Sequence, residues 1–193
     1  LAREANAAGL PTVCAYWDEA TARKLAAEHG KPKAITAANV FAHADDLQGF
    51  MKGVAACLAP GGVFAITDYV DYRALALSPR SAVMERVAAA VAESWRLRGG
   101  DCDIVIRLPE MLRGAGLEIR EVRPISRAAR PGSVLWGWPE IFFRIYIPVL
   151  VEAGLLTAED QAEFQADWSA ASSIPAAFFL TPTVCDLIAV KSG

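Results

Sequence analysis

The chain has 193 residues, 54% of them hydrophobic and 21% charged, with a net charge of −3. That length can bury the core of one domain, and the composition fits a soluble globular protein. Its 19 Lys and Arg residues are scattered along the chain, which argues against a nucleic-acid surface, because such a surface needs clustered positive charge.

Asp18 stands at the cap of a helix that ends at His29 and Gly30. Residues 34–41 form another apolar run. Asp45 or Asp46 caps the segment that follows, in which Leu47, Phe50, Met51, Val54, Ala55 and Leu58 recur at helical spacing. Pro60-Gly61-Gly62 stops this helix and turns the chain into residues 63–67, with Asp68 at their end. Strand, helix and strand make one crossover unit of a parallel sheet. Polar residues gather at the carboxyl ends of both strands, the edge at which open α/β sheets bind ligands.

Ser78-Pro79 signals the start of a further helix. Val83, Val87, Ala90, Val91 and Trp95 mark its buried face, and Gly99-Gly100 end it. Residues 128–183 are long for a connection between paired strands, and insertions of that size in compact domains are usually functional. The segment is rich in aromatic residues. One helix is expected from Pro139 to about Ala153, and a second after Thr157, with Asp160 three residues on. Such a helical hairpin, laid over the carboxyl edge of the sheet, would roof an apolar pocket; alternatively its aromatics only pack it onto the domain. Residues 134–151 contain Pro139, Glu140, Arg144 and Pro148, so they read as a buried cap and not as a membrane span. No two of Cys14, Cys57, Cys102 and Cys185 form a Cys-x-x-Cys pair. No metal site is therefore expected, Cys14, Cys57 and Cys185 read as small core residues, and a reducing cytoplasm is the expected compartment.

Several of these motifs occur together in one family. Ala38-Asn39 ends a strand, His43 lies in the next loop, and Leu58-Ala59-Pro60-Gly61-Gly62 leads into a second strand. Leu108 to Leu117 reads as a late helix with an Ala-Gly-Leu turn, followed by a strand to Ile125, and residues 184–190 read as a last, antiparallel strand. In combination this resembles the C-terminal portion of class I S-adenosylmethionine-dependent methyltransferases. The resemblance implies an α/β fold with a doubly wound, mostly parallel sheet, Rossmann-like, with an antiparallel last strand and a helical cap. It alone places residues 1–10 as a helix and residues 12–17 as a short strand. Residues 1–127 and 184–193 would form the core, and residues 128–183 the cap. The glycine-rich cofactor loop of the family has no counterpart here, and the chain starts without Met. Two strands and that loop are therefore expected upstream of Leu1, or from another chain.

The resemblance implies S-adenosylmethionine as cofactor and a small apolar or aromatic molecule as methyl acceptor. It implies cofactor contacts from Tyr16, Trp17 and Asp18, where Trp17 can stack on the adenine and Asp18 can accept from its amino group, or Asp18 can simply cap its helix. It also implies contacts from Ala37, Ala38 and Asn39, where small residues let a ligand approach the backbone. His43 is the candidate general base, since imidazole is the side chain suited to proton transfer near neutral pH; its other role is to fix the loop. Asp68, Tyr69 and Tyr72 can face the acceptor, as can Trp136, Trp138 and Tyr146, and Arg127 in a basic loop can hold an acidic group. No nucleic acid or membrane partner is expected, and a homo-oligomer is possible. Two other readings stand beside this one. The first is a non-catalytic, methyltransferase-like binding domain. The second is a nicotinamide-dependent oxidoreductase, against which stands the lack of any Gly-x-Gly-x-x-Gly.

Overall fold

Residues 34–71 form strand, helix and parallel strand in the computed structural model, which describes residues 1–44 and 46–192. Strand β1 (Ala34–Ala38) is shorter than its apolar run. Asn39 adopts the left-handed φ of 54°, which breaks the extended backbone and which Asn tolerates better than most residues. Helix α3 (Leu47–Cys57) is capped by Asp46, whose carboxylate accepts from the Gly49 N–H at 2.8 Å; Asp45 lies outside the described residues. Gly61 takes φ 69° at the turn, and β2 (Val63–Asp71) follows.

Strand β2 runs four residues past its expected end because β7 (Thr183–Lys191) pairs along it. The main sheet is completed by β4 (Leu117–Ile125) in the order β1-β2-β7-β4, with β7 antiparallel to both of its neighbours. This is a mixed α/β sheet with the expected antiparallel last strand. One face is covered: Phe64, Ile66, Leu187 and Ala189 bury against Met51 and Leu58 and against Leu108 and Leu112 of α5 (Leu108–Gly114). On the other face Thr36 and Ala38 are exposed, and Ala65, Thr67, Asp186 and Ile188 are half-buried. The second helical layer of a doubly wound sheet is not among the described residues.

Helix α1 (Ala2–Ala7) buries no residue, and α2 (Glu19–His29) packs beside α3. Residues 12–17 are not a strand. The main chain of Thr12 is satisfied by the Asn6 side chain, which donates to its carbonyl and accepts from its N–H, each at 2.8 Å. A strand needs a neighbour with free ladder groups, and Cys14 accordingly lies exposed, not in a core.

The rest of the chain builds a second body. Helix α4 (Ala82–Leu97) starts at Ser81, whose hydroxyl accepts from the Met84 N–H at 3.1 Å. The expected start at Ser78-Pro79 instead belongs to the end of β3 (Ala76–Ser78). Helix α6 (Val134–Glu152) begins five residues before Pro139, because Ser133 provides the cap and α6 keeps Pro139 and Pro148 inside it. Helix α7 (Ala158–Ser172) carries the anticipated capping box of Thr157 and Asp160. Arg86 on α4 ties α7 down by ion pairs to Asp160, at 2.7 Å, and to Glu163. A small sheet unforeseen in the sequence, β3-β6-β5, joins Ala76–Ser78 to β6 (Phe178–Leu180) and β5 (Ala128–Ala129). By length and composition α6 could cross a membrane. Here its Phe143, Ile147 and Leu150 are buried, while Val134, Ile141 and Ile145 are exposed.

Candidate functional site

The carboxyl ends of β1 and β2 are locked to each other. The Asn39 N–H donates to the Thr67 carbonyl at 2.8 Å. Asp68, only 1% exposed, accepts through Oδ2 from the N–H groups of Val40 at 3.0 Å and Phe41 at 2.8 Å. A carboxylate that accepts two main-chain donors pins the loop after β1. The 3-10 turn that follows, Phe41–His43, buries Phe41 and leaves His43 exposed at the sheet edge.

Opposite this edge stands an aromatic wall. Trp95, at the end of α4, has its ring 4.8 Å from His43 and 5.3 Å from both Tyr69 and Tyr72. From α6, Phe142 stacks on Tyr146 at 5.2 Å and on Trp138 at 6.1 Å. The buried Ser94 holds the Tyr146 hydroxyl at 2.8 Å. Between wall and edge lies a cleft of about 460 Å³, into which Asn39, His43, Tyr69, Trp138 and Tyr146 all open, along with Trp95 and Arg98. Its size suits a small ligand. A larger groove of about 640 Å³ runs beside β3 and the start of α4, but it takes no residue from β1 or β2.

Five residues expected at the site thus meet in one place. Others do not. Asp68 was expected to face a ligand; its carboxylate is turned to the Val40–Phe41 backbone instead. Tyr72 is 2% exposed and lies behind Tyr69. Burial pushes its hydroxyl above the ordinary range, with nearby Tyr69 as a lesser cause, and burial likewise raises Tyr69, aided by the charge of Asp68. Both phenols are therefore donors, not bases, at neutral pH. Trp136 points into the second body, stacked on Trp168 at 4.6 Å, with its indole N–H donating to Ser172 at 3.2 Å. Arg127 is exposed beside Thr181, which accepts from its N–H at 3.1 Å.

Of the residues expected to contact a cofactor, Ala37 is buried, while Ala38 and Asn39 are open at the edge strand. Tyr16 is 95% exposed. Trp17 lies on α3, its indole N–H donating to the Phe50 carbonyl at 3.1 Å and its ring 5.8 Å from that of Phe50. Asp18 caps α2 by accepting from the Thr21 N–H at 2.7 Å, which lowers its pKa. Sequence reasoning did not single out Trp95 or Arg98 for the site. The signal available was their position, where the buried face of α4 runs out just before Gly99-Gly100. Among the described residues, no group of His, Cys, Asp and Glu is placed to hold a metal.

No protein-family model matches the chain, and no curated protein matches it. Solved structures do align with it. The YcgJ protein of Bacillus subtilis aligns over 100% of this chain and 76% of its own, at 14% identity and a TM-score of 0.48. A candidate methyltransferase of Bacillus halodurans C-125 aligns over 94% and 68%, at 14% identity and a TM-score of 0.48. The cyclase SpnF aligns over 99% and 61%, at 17% identity and a TM-score of 0.44. Likenesses at these identities assign no activity and no residue role to this chain.

Proposed function

We propose that this chain serves methyl transfer from S-adenosylmethionine to a small apolar or aromatic acceptor. The observation that carries the reading is the meeting, in one cleft, of the carboxyl edge of β1 and β2 with the aromatic face of α4 and α6. The strand order, with β7 antiparallel between β2 and β4, agrees with the resemblance drawn from the sequence.

The residues at the edge fit a cofactor. Ala38 presents no side chain beyond its methyl, and Asn39 turns the backbone sharply away, so a ligand can approach the main chain there. The cofactor, when bound, supplies an electrophilic methyl carbon on a sulfonium. The protein then has to bind, align and exclude water. Trp95 and the edge of Tyr146, which Ser94 fixes, line the space for a flat acceptor. Tyr69, kept protonated by burial, donates a hydrogen bond to an acceptor oxygen or nitrogen. His43, at the cleft mouth and exposed, is placed to take the proton released on transfer.

A second reading, a binding domain without turnover, is favoured by the engagement of Trp17 and Asp18 in packing and capping. One experiment separates them. The full-length protein is titrated with S-adenosylmethionine by calorimetry and then assayed for methyl transfer to phenols and aromatic acids. Binding with turnover supports the first reading; binding of aromatics without turnover or cofactor affinity supports the second.

A further inference from the structure

We infer that the cleft takes a planar aromatic ligand carrying an anionic group, a carboxylate or a phosphate, and that Arg98 selects it. This rests on reading the cleft as the acceptor site.

The shape of the ligand follows from the walls. His43, Tyr69, Trp95, Phe142 and Tyr146 offer ring faces or edges around one space. Faces of this kind favour a flat, polarisable partner through offset stacking and edge contacts. The charge follows from Arg98. Among the described residues it is the only one of the cleft lining with a permanent charge. Its guanidinium carbon lies 6.0 Å from the centroid of the Tyr146 ring, so the cation sits over the same wall that would hold a ring.

The neighbouring arginines are already committed. Arg96 pairs with Glu93 at 2.6 Å and Arg107 with Asp101 at 3.1 Å. Asp101, next to the cleft residue Gly100, is thereby occupied, and among the described residues no carboxylate pairs with Arg98. An incoming anion can therefore accept from this arginine fork in bidentate fashion, with no competing acid among the described residues. Arg98 is also exposed, so water solvates it when the cleft is empty. The selection is then moderate, about tenfold per ligand pair and not thousandfold.

Arg98 has a competing use. It follows the last residue of α4, where a cation offsets the partial negative charge of a helix end. That use would affect stability and leave ligand preference alone, which sets the test. Quenching of tryptophan fluorescence is followed as the chain is titrated with benzoate against benzamide, naphthoate against naphthamide, and phenyl phosphate against phenol. In the unaltered chain the anion of at least one pair should bind about tenfold more tightly than its neutral partner. Arg98→Gln should abolish that preference with little change in melting temperature, and Arg98→Lys should restore part of it. No preference in any pair, or a preference that survives Arg98→Gln, overturns the inference. The readout needs neither cofactor nor turnover. Charge selection without methyl transfer by the full-length protein would sink the methyltransferase reading alone, and transfer to neutral acceptors without charge selection would sink this inference alone.

Discussion

The carboxylate of Asp68 and the main-chain N–H of Phe41 meet at 2.8 Å across the ends of two parallel strands. The contact carries the geometry of the cleft, because His43 lies two residues further on and Tyr69 follows Asp68 directly. Asp68→Ala would leave the Val40 and Phe41 donors unsatisfied, Phe41 in the core. A loss on the order of 2–4 kcal/mol is expected, measured by urea unfolding. Asp68→Asn should lose less, since its amide oxygen still accepts.

Trp136 and Trp138 should answer to different assays. Trp136 is 4% exposed and stacked on Trp168; Trp138 is 46% exposed at the cleft. Trp136→Ala should cost about 3–5 kcal/mol of stability. Trp138→Ala should leave the melting temperature nearly unchanged and raise the KM of an aromatic acceptor. Loss of stability in both, with acceptor KM unmoved, would make the aromatic face of α6 structural filler.

Ala38→Val separates binding from folding at the edge proposed to hold the cofactor. The residue is exposed at the end of an edge strand, where a β-branched side chain is well tolerated. Melting temperature should hold or rise, while S-adenosylmethionine affinity falls roughly tenfold. Trp17→Ala, by contrast, strips a ring from α3 and should lower stability as well. Calorimetry of both variants checks the pair.

The cysteines make a prediction about pH. Cys14 is exposed, whereas Cys57, Cys102 and Cys185 are buried. Burial first, and then the charge of Asp103, pushes the Cys102 thiol from 9.0 to about 11. The folded chain therefore keeps a proton that the unfolded chain releases, and the stability from this group is complete below pH 9.0 and falls as pH rises towards about 11. Iodoacetamide at pH 8 should label Cys14 alone, and the other three only after denaturant is added. Rapid labelling of Cys102 in the folded chain would contradict its placement.

The parts of this fold that were legible in the sequence are those set by local chemistry. The Asp46 cap, the Gly61 turn and the Thr157–Asp160 box each involve groups within a few residues. What depended on distant partners was not. The resemblance implies a strand at residues 12–17, but pairing is non-local, and Asn6 satisfies Thr12 first. Asp68 looked like a strand-end residue until β7 extended β2 past it. Pro139 fits a first-turn proline by local rule, but the helix keeps it inside because Ser133 caps α6 further upstream. At the cleft, Asn39, His43 and Tyr69 followed from the strand ends. Trp136 and Trp138, two positions apart on a helix, point to nearly opposite sides, so the phase of α6 decided which one reached the cleft. Nothing local could place Arg98 there, since α4 comes to the sheet edge through the tertiary fold.

Tyr69 and Trp95 pack against both apolar clusters, the one under the sheet and the one among α4, α6 and α7. The cleft therefore lies on the seam between two bodies, and whatever fills it is held by both. An occupied cleft works as mortar: it adds contacts that are lost only when the bodies part, and so joins their unfolding. In the empty chain, amide exchange should be faster in α6 and α7 than in β2 and β7. With a ligand seated, the two rates should draw together, so that the cooperativity of melting reports on occupancy of the site.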